Sequence, residues 1–250
     1  MAAPQPHLVL LHGFTQTSGC WGPFADRLSE SGPTDRLDLP GHGAGGAPLD
    51  GWATASRLAE DAAGPGVTPD HPGDWLGYSL GGRMLLHLLL THPGRVGRAV
   101  LIGATAGIED PGDRQARRRD DEALADRIER DGVDAFLERW MAMPMWADLP
   151  AWAHFGDQRR TNTPGGLAGS LRLAGTGAQD NLWPRLGEIE TPVLVLAGER
   201  DEKFTAIGRR LAGDLPRGEF RSLAGAGHAA HLEQPDRTAE LVETWLGRRP

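Results

Sequence analysis

Cysteine is almost absent from this chain. Of 250 residues only Cys20 is one, which excludes an intrachain disulfide and a metal site built from several thiolates. Long apolar runs are also missing, so no segment is expected to span a bilayer. Positive charge is in deficit, with a formal net charge of −8. That balance argues against a broad nucleic-acid footprint, and any basic cluster has to be local. The first residues, Met1-Ala2-Ala3-Pro4-Gln5-Pro6, lack the basic start and apolar stretch of a secretory signal, and a cytoplasmic protein is expected. There is no internal repeat, no low-complexity linker, no phosphate-cradling loop and no zinc-ligand pair at helical spacing, so no cofactor or metal is expected.

What is there is ordinary for a globular protein: 39% hydrophobic and 24% charged residues, in a length that suits one large domain with a buried core. His7-Leu8-Val9-Leu10-Leu11 is short, aliphatic and stopped by His12-Gly13, which reads as a buried strand. A second candidate ends at Leu37-Asp38-Leu39 before Pro40-Gly41-His42-Gly43. Asp74 to Gly77, Ala99 to Ile102 and Val193 to Leu196 have the same form, with helical patterns such as Arg83 to His92 between them. Strands alternating with helices indicate an α/β protein with a mostly parallel central sheet flanked by helices. Residues 106–186 break the rhythm, with helix formers and no strand-like run, and read as a helical cap inserted into a core of 1–105 and 187–250. Within it, Asp120 to Arg130 and Val133 to Trp140 look helical, and Gly132 separates them.

The strongest chemical signal is Gly77-Tyr78-Ser79-Leu80-Gly81-Gly82 between a strand and a helix. Such glycines permit a sharp strand-to-helix turn that lifts Ser79 above the sheet, where the helix N-terminus favours developing negative charge. A serine hydroxyl becomes a useful base or nucleophile only when a histidine takes its proton and a carboxylate orients that histidine. Both are expected downstream, acid first. Asp201 follows the strand Val193 to Leu196, and among nine histidines only His228, in Gly225-Ala226-Gly227-His228, has both the order and the loop context. His231 is the neighbouring alternative, and Glu199 and Glu202 read as surface carboxylates. The N–H groups of Phe14, after the first strand, and of Leu80, after the serine, are candidates for an oxyanion hole. A glycine-rich turn carrying an ordinary serine is the competing reading of the whole motif.

With these residues assembled, the chain resembles the α/β-hydrolase superfamily over nearly its whole length. Within that superfamily it is similar to the 2-succinyl-6-hydroxy-2,4-cyclohexadiene-1-carboxylate synthase (MenH) family of menaquinone biosynthesis. The matching strings are Leu11-His12-Gly13-Phe14, Asp38-Leu39-Pro40-Gly41-His42-Gly43, Gly77 to Arg83, Gly198-Glu199-Arg200-Asp201-Glu202-Lys203-Phe204 and Ala226-Gly227-His228. The arginine directly after the elbow glycines and the string around the acid are the telling ones. The resemblance implies a 2,5-elimination that expels pyruvate, with the triad serine as base. It also implies substrate-binding positions at Arg83, Arg117, Trp140 and Arg159, with Arg118 and Arg160 one step away from two of them. Lys203, in the acid string, and Tyr78, beside the serine, are further candidates for substrate contact. Thr163-Pro164-Gly165-Gly166 departs from the family's more polar loop.

The implied partner is a small polycarboxylate, which an acidic protein can bind only through a local cluster of guanidinium groups. The run Arg117 to Arg119 also reads as a solvated helix face paired with Asp120, Asp121 and Glu122. A carboxylesterase, lactonase or C–C bond hydrolase with the same triad, and a catalytically dead binding protein, are the alternatives of other classes.

Overall fold

The computed structural model describes residues 6–62 and 66–248; the stretch before Pro6, read above for a leader, lies outside them. The strands are β1 Leu8–Leu11, β2 Thr34–Leu37, β3 Gly73–Tyr78, β4 Val96–Ile102, β5 Val193–Gly198 and β6 Gly218–Leu223. The α-helices are α1 Gly22–Glu30, α2 Gly51–Asp61, α3 Leu80–Thr91, α4 Pro111–Met141, α5 Gly156–Arg160, α6 Pro164–Ala174, α7 Glu202–Asp214, α8 Ala230–Glu233 and α9 Pro235–Leu246. The strands form one sheet in the order β2-β1-β3-β4-β5-β6, every pair parallel.

Alternation along the strands explains both faces. Val9, Leu11, Trp75, Leu101 and Val195 pack into a layer shared with α2, α3 and α7. Leu8, Leu10, Leu76, Val100 and Leu194 pack into the opposite layer, shared with α1 and α9. A strand covered on both sides needs apolar residues at every position, which is why β1 and β5 are legible as aliphatic runs. The edge strand β6 is largely half-buried or exposed, so Gly218-Glu219-Phe220-Arg221-Ser222-Leu223 carries no such run.

Among the described residues no strand lies between β4 and β5; α4, α5 and α6 fill that stretch. The helix α4 begins earlier than its apolar pattern suggests, because Asp110 accepts a hydrogen bond from the Asp113 N–H and Pro111 occupies the first turn. It breaks at Gly132, whose φ of 83° and ψ of 170° are non-helical and lie where a side chain is disfavoured. Ile128, Phe136 and Leu137 of α4 pack on Leu167, Ala168 and Leu171 of α6 as a separate apolar cluster. On its outer side Arg172 binds Glu122, Asp126 and Glu129. These ion pairs are exposed and screened, so the apolar contacts carry most of the attachment. Among the described residues no helix is long and apolar enough to cross a membrane.

Candidate active site

β3 ends in the elbow. Ser79 has φ 50° and ψ −105°, a conformation that costs a non-glycine residue on the order of 1–3 kcal/mol and persists only where its surroundings over-determine it. Here the Ser79 N–H donates to the Ile102 carbonyl at 2.8 Å and the Gly81 N–H to the His12 carbonyl at 3.0 Å. A side chain at Gly77 would meet the Gly81 carbonyl oxygen at 2.5 Å, so the turn closes only with glycine there. α3 starts at once, and Ser79 stands at its N-terminus.

His228 donates from Nδ1 to Asp201 Oδ2 at 2.7 Å. The other oxygen of Asp201 accepts the Phe204 N–H at 3.1 Å, so the acid caps α7 while it orients the imidazole. Burial by itself would raise the Asp201 pKa, but the hydrogen bond and charge of His228 and the Phe204 N–H outweigh it and hold the carboxyl below its ordinary range. The His228 ring is packed by Tyr78, Trp146 and Phe204, with centroids at 5.5, 6.1 and 4.7 Å. Its loop is clamped by Glu233, which accepts the N–H groups of Gly227 and Ala229 on either side of the histidine.

The sequence leads to the expectation of a continuous hydrogen-bonded chain through Ser79. Among the described residues the Ser79 hydroxyl makes no hydrogen bond, and only the His228–Asp201 leg is formed. The Asp201 carboxylate is fixed by two partners, His228 and the Phe204 N–H, whereas the Ser79 hydroxyl is fixed by none among the described residues. His231 is not an alternative to His228. It is fully buried among Trp21, Phe24 and Tyr78, with neither ring nitrogen hydrogen-bonded, and burial lowers its pKa to about 3. Glu199 is exposed and accepts the Gly225 N–H.

Ser79 and His228 open into a cavity of ≈ 570 Å³. The N–H groups of Phe14 and Leu80 face no hydrogen-bond partner among the described residues, and both residues line it. The cavity is also lined by Tyr78, Arg83, Arg117, Trp140, Arg159 and Lys203, so the structure brings together all the candidate binding positions, while Arg118 and Arg160 are not in its wall. Arg160 instead pairs with Asp134 and Asp157 at the surface. Tyr78 is wedged between the rings of His228 and His231, and its buried hydroxyl has no partner. The Trp140 and Trp146 indole N–H groups are likewise buried without partners.

The charge in the wall is basic although the chain is acidic: Arg83, Arg117, Arg127, Arg159 and Lys203 against Asp120 and Asp121. Two of the arginines are buried with neutral partners. Arg83, 7% exposed, donates from Nη1 to the Ala174 carbonyl at 2.7 Å and to Gln179 Oε1 at 3.2 Å. Burial, with Arg117 nearby, lowers its pKa to about 10 against a partial rescue by Asp121. Arg159, 1% exposed, donates to the His154 carbonyl and to Thr15 Oγ1, and burial lowers its pKa too. Arg117 binds Asp121 through Nε at 2.8 Å. Asp121 also accepts the Gly177 N–H, tying α4 to the turn after α6.

Sequence reasoning missed Glu233, Asp121, Trp146 and Asn162, the last of which donates from Nδ2 to the Thr15 and Arg159 carbonyls beside the cavity. Asp121 was legible only as one of several acids four residues from an arginine. The other three act through tertiary contacts that leave no local pattern.

A parallel sheet carrying a serine on a strained strand-to-helix turn, with acid and histidine following in that order, defines the class. The chain belongs to the alpha/beta hydrolase family, whose model matches residues 8–241. Among its relatives, it is 36% identical over 246 residues to a Bacillus subtilis (strain 168) protein provisionally named as a 2-succinyl-6-hydroxy-2,4-cyclohexadiene-1-carboxylate synthase, covering 96% of this chain and 89% of that one. It is 32% identical over 252 residues to the synthase of that name from Serratia proteamaculans (strain 568), covering 98% and 94%. Of solved structures, MenH from S. aureus superposes with a TM-score of 0.90 at 28% identity, over 98% of this chain and 95% of that one.

Proposed function

We propose that this protein is a 2-succinyl-6-hydroxy-2,4-cyclohexadiene-1-carboxylate synthase, a carbon–oxygen lyase that eliminates pyruvate from a succinyl-cyclohexene precursor in menaquinone biosynthesis. The observation that carries the reading is the pair of buried guanidinium groups, Arg83 and Arg159, each with only neutral hydrogen-bond partners and both in the wall of one cavity beside Ser79. A buried cation without an anion is costly, and a substrate bearing several carboxylates supplies the missing charge through charge-assisted bonds. The similarity to named synthases supports the same chemistry.

In this mechanism His228 Nε2 takes the Ser79 proton, and Asp201 stabilises the imidazolium that forms. The serine oxygen then removes the ring proton next to the succinyl carbonyl. The C–H electron pair moves into an enolate whose oxygen is received by the N–H groups of Phe14 and Leu80, at the N-terminus of α3. Collapse of the enolate shifts the ring double bond and breaks the C–O bond to the departing pyruvate enolate. Arg83, Arg117 and Arg159 hold carboxylates, Trp140 and Tyr78 shape the wall, and Lys203 adds a charge. Residues 106–186 act as the cap over this site. A cytoplasmic setting is part of the proposal and is compatible with a lone buried thiol at Cys20.

The test is pyruvate release from the succinyl-cyclohexene precursor, measured beside hydrolysis of short p-nitrophenyl esters. Pyruvate formation far above ester turnover is the expected result. Brisk ester turnover without pyruvate would instead make the protein a serine esterase of the same fold.

A further inference from the structure

Thr15 is a β-branched, fully buried residue with φ 70°, in the left-handed region that such side chains rarely enter. It occupies the third position of the turn Gly13–Gln16, closed by the Gln16 N–H to the Gly13 carbonyl at 3.1 Å. A positive φ at that position ordinarily calls for glycine or asparagine. Thr15 directly follows Phe14. Returning its φ to negative values would rotate the Phe14–Thr15 peptide plane and shift the loop that presents the Phe14 N–H.

Two residues from a distant part of the chain hold this conformation. Asn162, 5% exposed, donates from Nδ2 to the Thr15 carbonyl and to the Arg159 carbonyl, both at 2.8 Å. Its Oδ1 accepts the Gly43 N–H at 3.0 Å. Arg159 reaches Thr15 Oγ1 from the same side. Both amide hydrogens of Asn162 and its oxygen are therefore engaged, and one of these bonds falls on the strained residue itself. Strained backbone of this kind persists only where the surroundings impose it, and it collects at functional sites.

We infer that Asn162 is a positioning residue for the oxyanion-hole loop, holding Thr15 in its left-handed conformation so that the Phe14 N–H meets the developing negative charge. The inference rests on the reading in which Phe14 supplies one of the two oxyanion donors. Asn162 touches no reacting atom; it acts through Thr15. Because it follows α5, it also makes the hole depend on how the segment between β4 and β5 is seated. Arg159 then has two duties, binding a carboxylate and bracing the loop.

The experiment compares wild type, Asn162→Ala, Thr15→Gly and the double variant, following pyruvate release and p-nitrophenyl ester hydrolysis with separate kcat and KM. Crystal structures of wild type and Asn162→Ala accompany the kinetics. Asn162→Ala should lower kcat on the order of 10- to 100-fold, short of the 10²–10³ seen when an oxyanion donor is removed outright, and leave KM within about threefold. With glycine at position 15 the left-handed turn is no longer strained, so the same substitution should cost less than about threefold in kcat. A purely structural Asn162 would cost the same in both backgrounds and lower the melting temperature without moving kcat of the folded enzyme. Equal losses in the two backgrounds, or Thr15 retaining φ near 70° in the Asn162→Ala crystal, would overturn the inference. Absence of pyruvate with wild type would overturn the synthase reading instead, and the ester kinetics and the Thr15 conformation would still decide the role of Asn162.

Discussion

His228 and Asp201 are joined by a 2.7 Å hydrogen bond from Nδ1 to Oδ2, which assigns the neutral imidazole's proton to Nδ1 and leaves Nε2 as the basic nitrogen. Asparagine at position 201 can keep the contact while presenting an N–H to Nδ1, which favours the opposite tautomer. Asp201→Asn should therefore lower kcat on the order of 10³–10⁴-fold with little change in KM. Steady-state kinetics of pyruvate release check this, and a loss below about tenfold would mean that Asp201 does not orient the base.

In the proposed mechanism Ser79 and His228 handle the same proton, so removing either would remove the whole transfer. Ser79→Ala and His228→Ala should each reduce kcat on the order of 10³-fold or more, and the double variant should lose little beyond the worse single one. Losses that multiply would mean the two residues act independently.

Arg83 has no acidic hydrogen-bond partner of its own among the described residues, and in the proposed function its charge is reserved for a substrate carboxylate. Arg83→Ala should cost about 2–5 kcal/mol in transition-state binding, a fall of roughly 30-fold to several thousand-fold in kcat/KM for pyruvate release. Lysine should restore only part, lacking the guanidinium fork. Neutral-ester hydrolysis should barely change. In denaturant unfolding without substrate, Arg83→Met should be as stable as wild type or more so, since it removes a desolvated charge. A strongly destabilised Met variant would assign Arg83 to the fold.

His231 is buried neutral, and its pKa in the folded chain is about 3 against an ordinary 6.5. Below pH 6.5 the unfolded chain takes up a proton there that the folded chain refuses, so stability rises with pH across the window from about 3 to 6.5 and is lost on acidification. At pH 5 this one residue withholds about 2 kcal/mol. His12, lowered to about 4, and His42, lowered to about 3, add in the same direction. His231→Phe fits the aromatic surroundings of Trp21, Phe24 and Tyr78 and has no nitrogen left unpaired. Its melting temperature should exceed that of wild type by more at pH 5 than at pH 7.5. An equal shift at both pH values would show that His231 titrates normally.

Much of the core and the chain order of the candidate catalytic residues was legible because those features are written in adjacent residues. The run Val193 to Leu196 declares a strand covered on both faces, and Gly77 to Gly82 declares a turn that glycine alone permits. Asp201 and His228 follow from the loops in which they stand. Gly132 was readable as a break because glycine is a poor helix former, and its φ of 83° with ψ of 170° lies in a region essentially confined to glycine. The strand β6 was not readable, since a half-exposed edge strand is under no pressure to be aliphatic.

The sequence by itself determined the alternation of strands and helices, the elbow serine and the order of acid and histidine, because backbone sterics and burial act on neighbouring residues. Tertiary structure alone decided that Arg117 rather than Arg118 and Arg159 rather than Arg160 face the cavity, because a single step along a helix turns a side chain by about 100°. It also decided that His231 is core, that Glu233 clamps the His228 loop and that Asn162 grips Thr15. Those contacts join residues as far apart as 147 positions, and such pairings arise only when packing brings distant segments within hydrogen-bond reach.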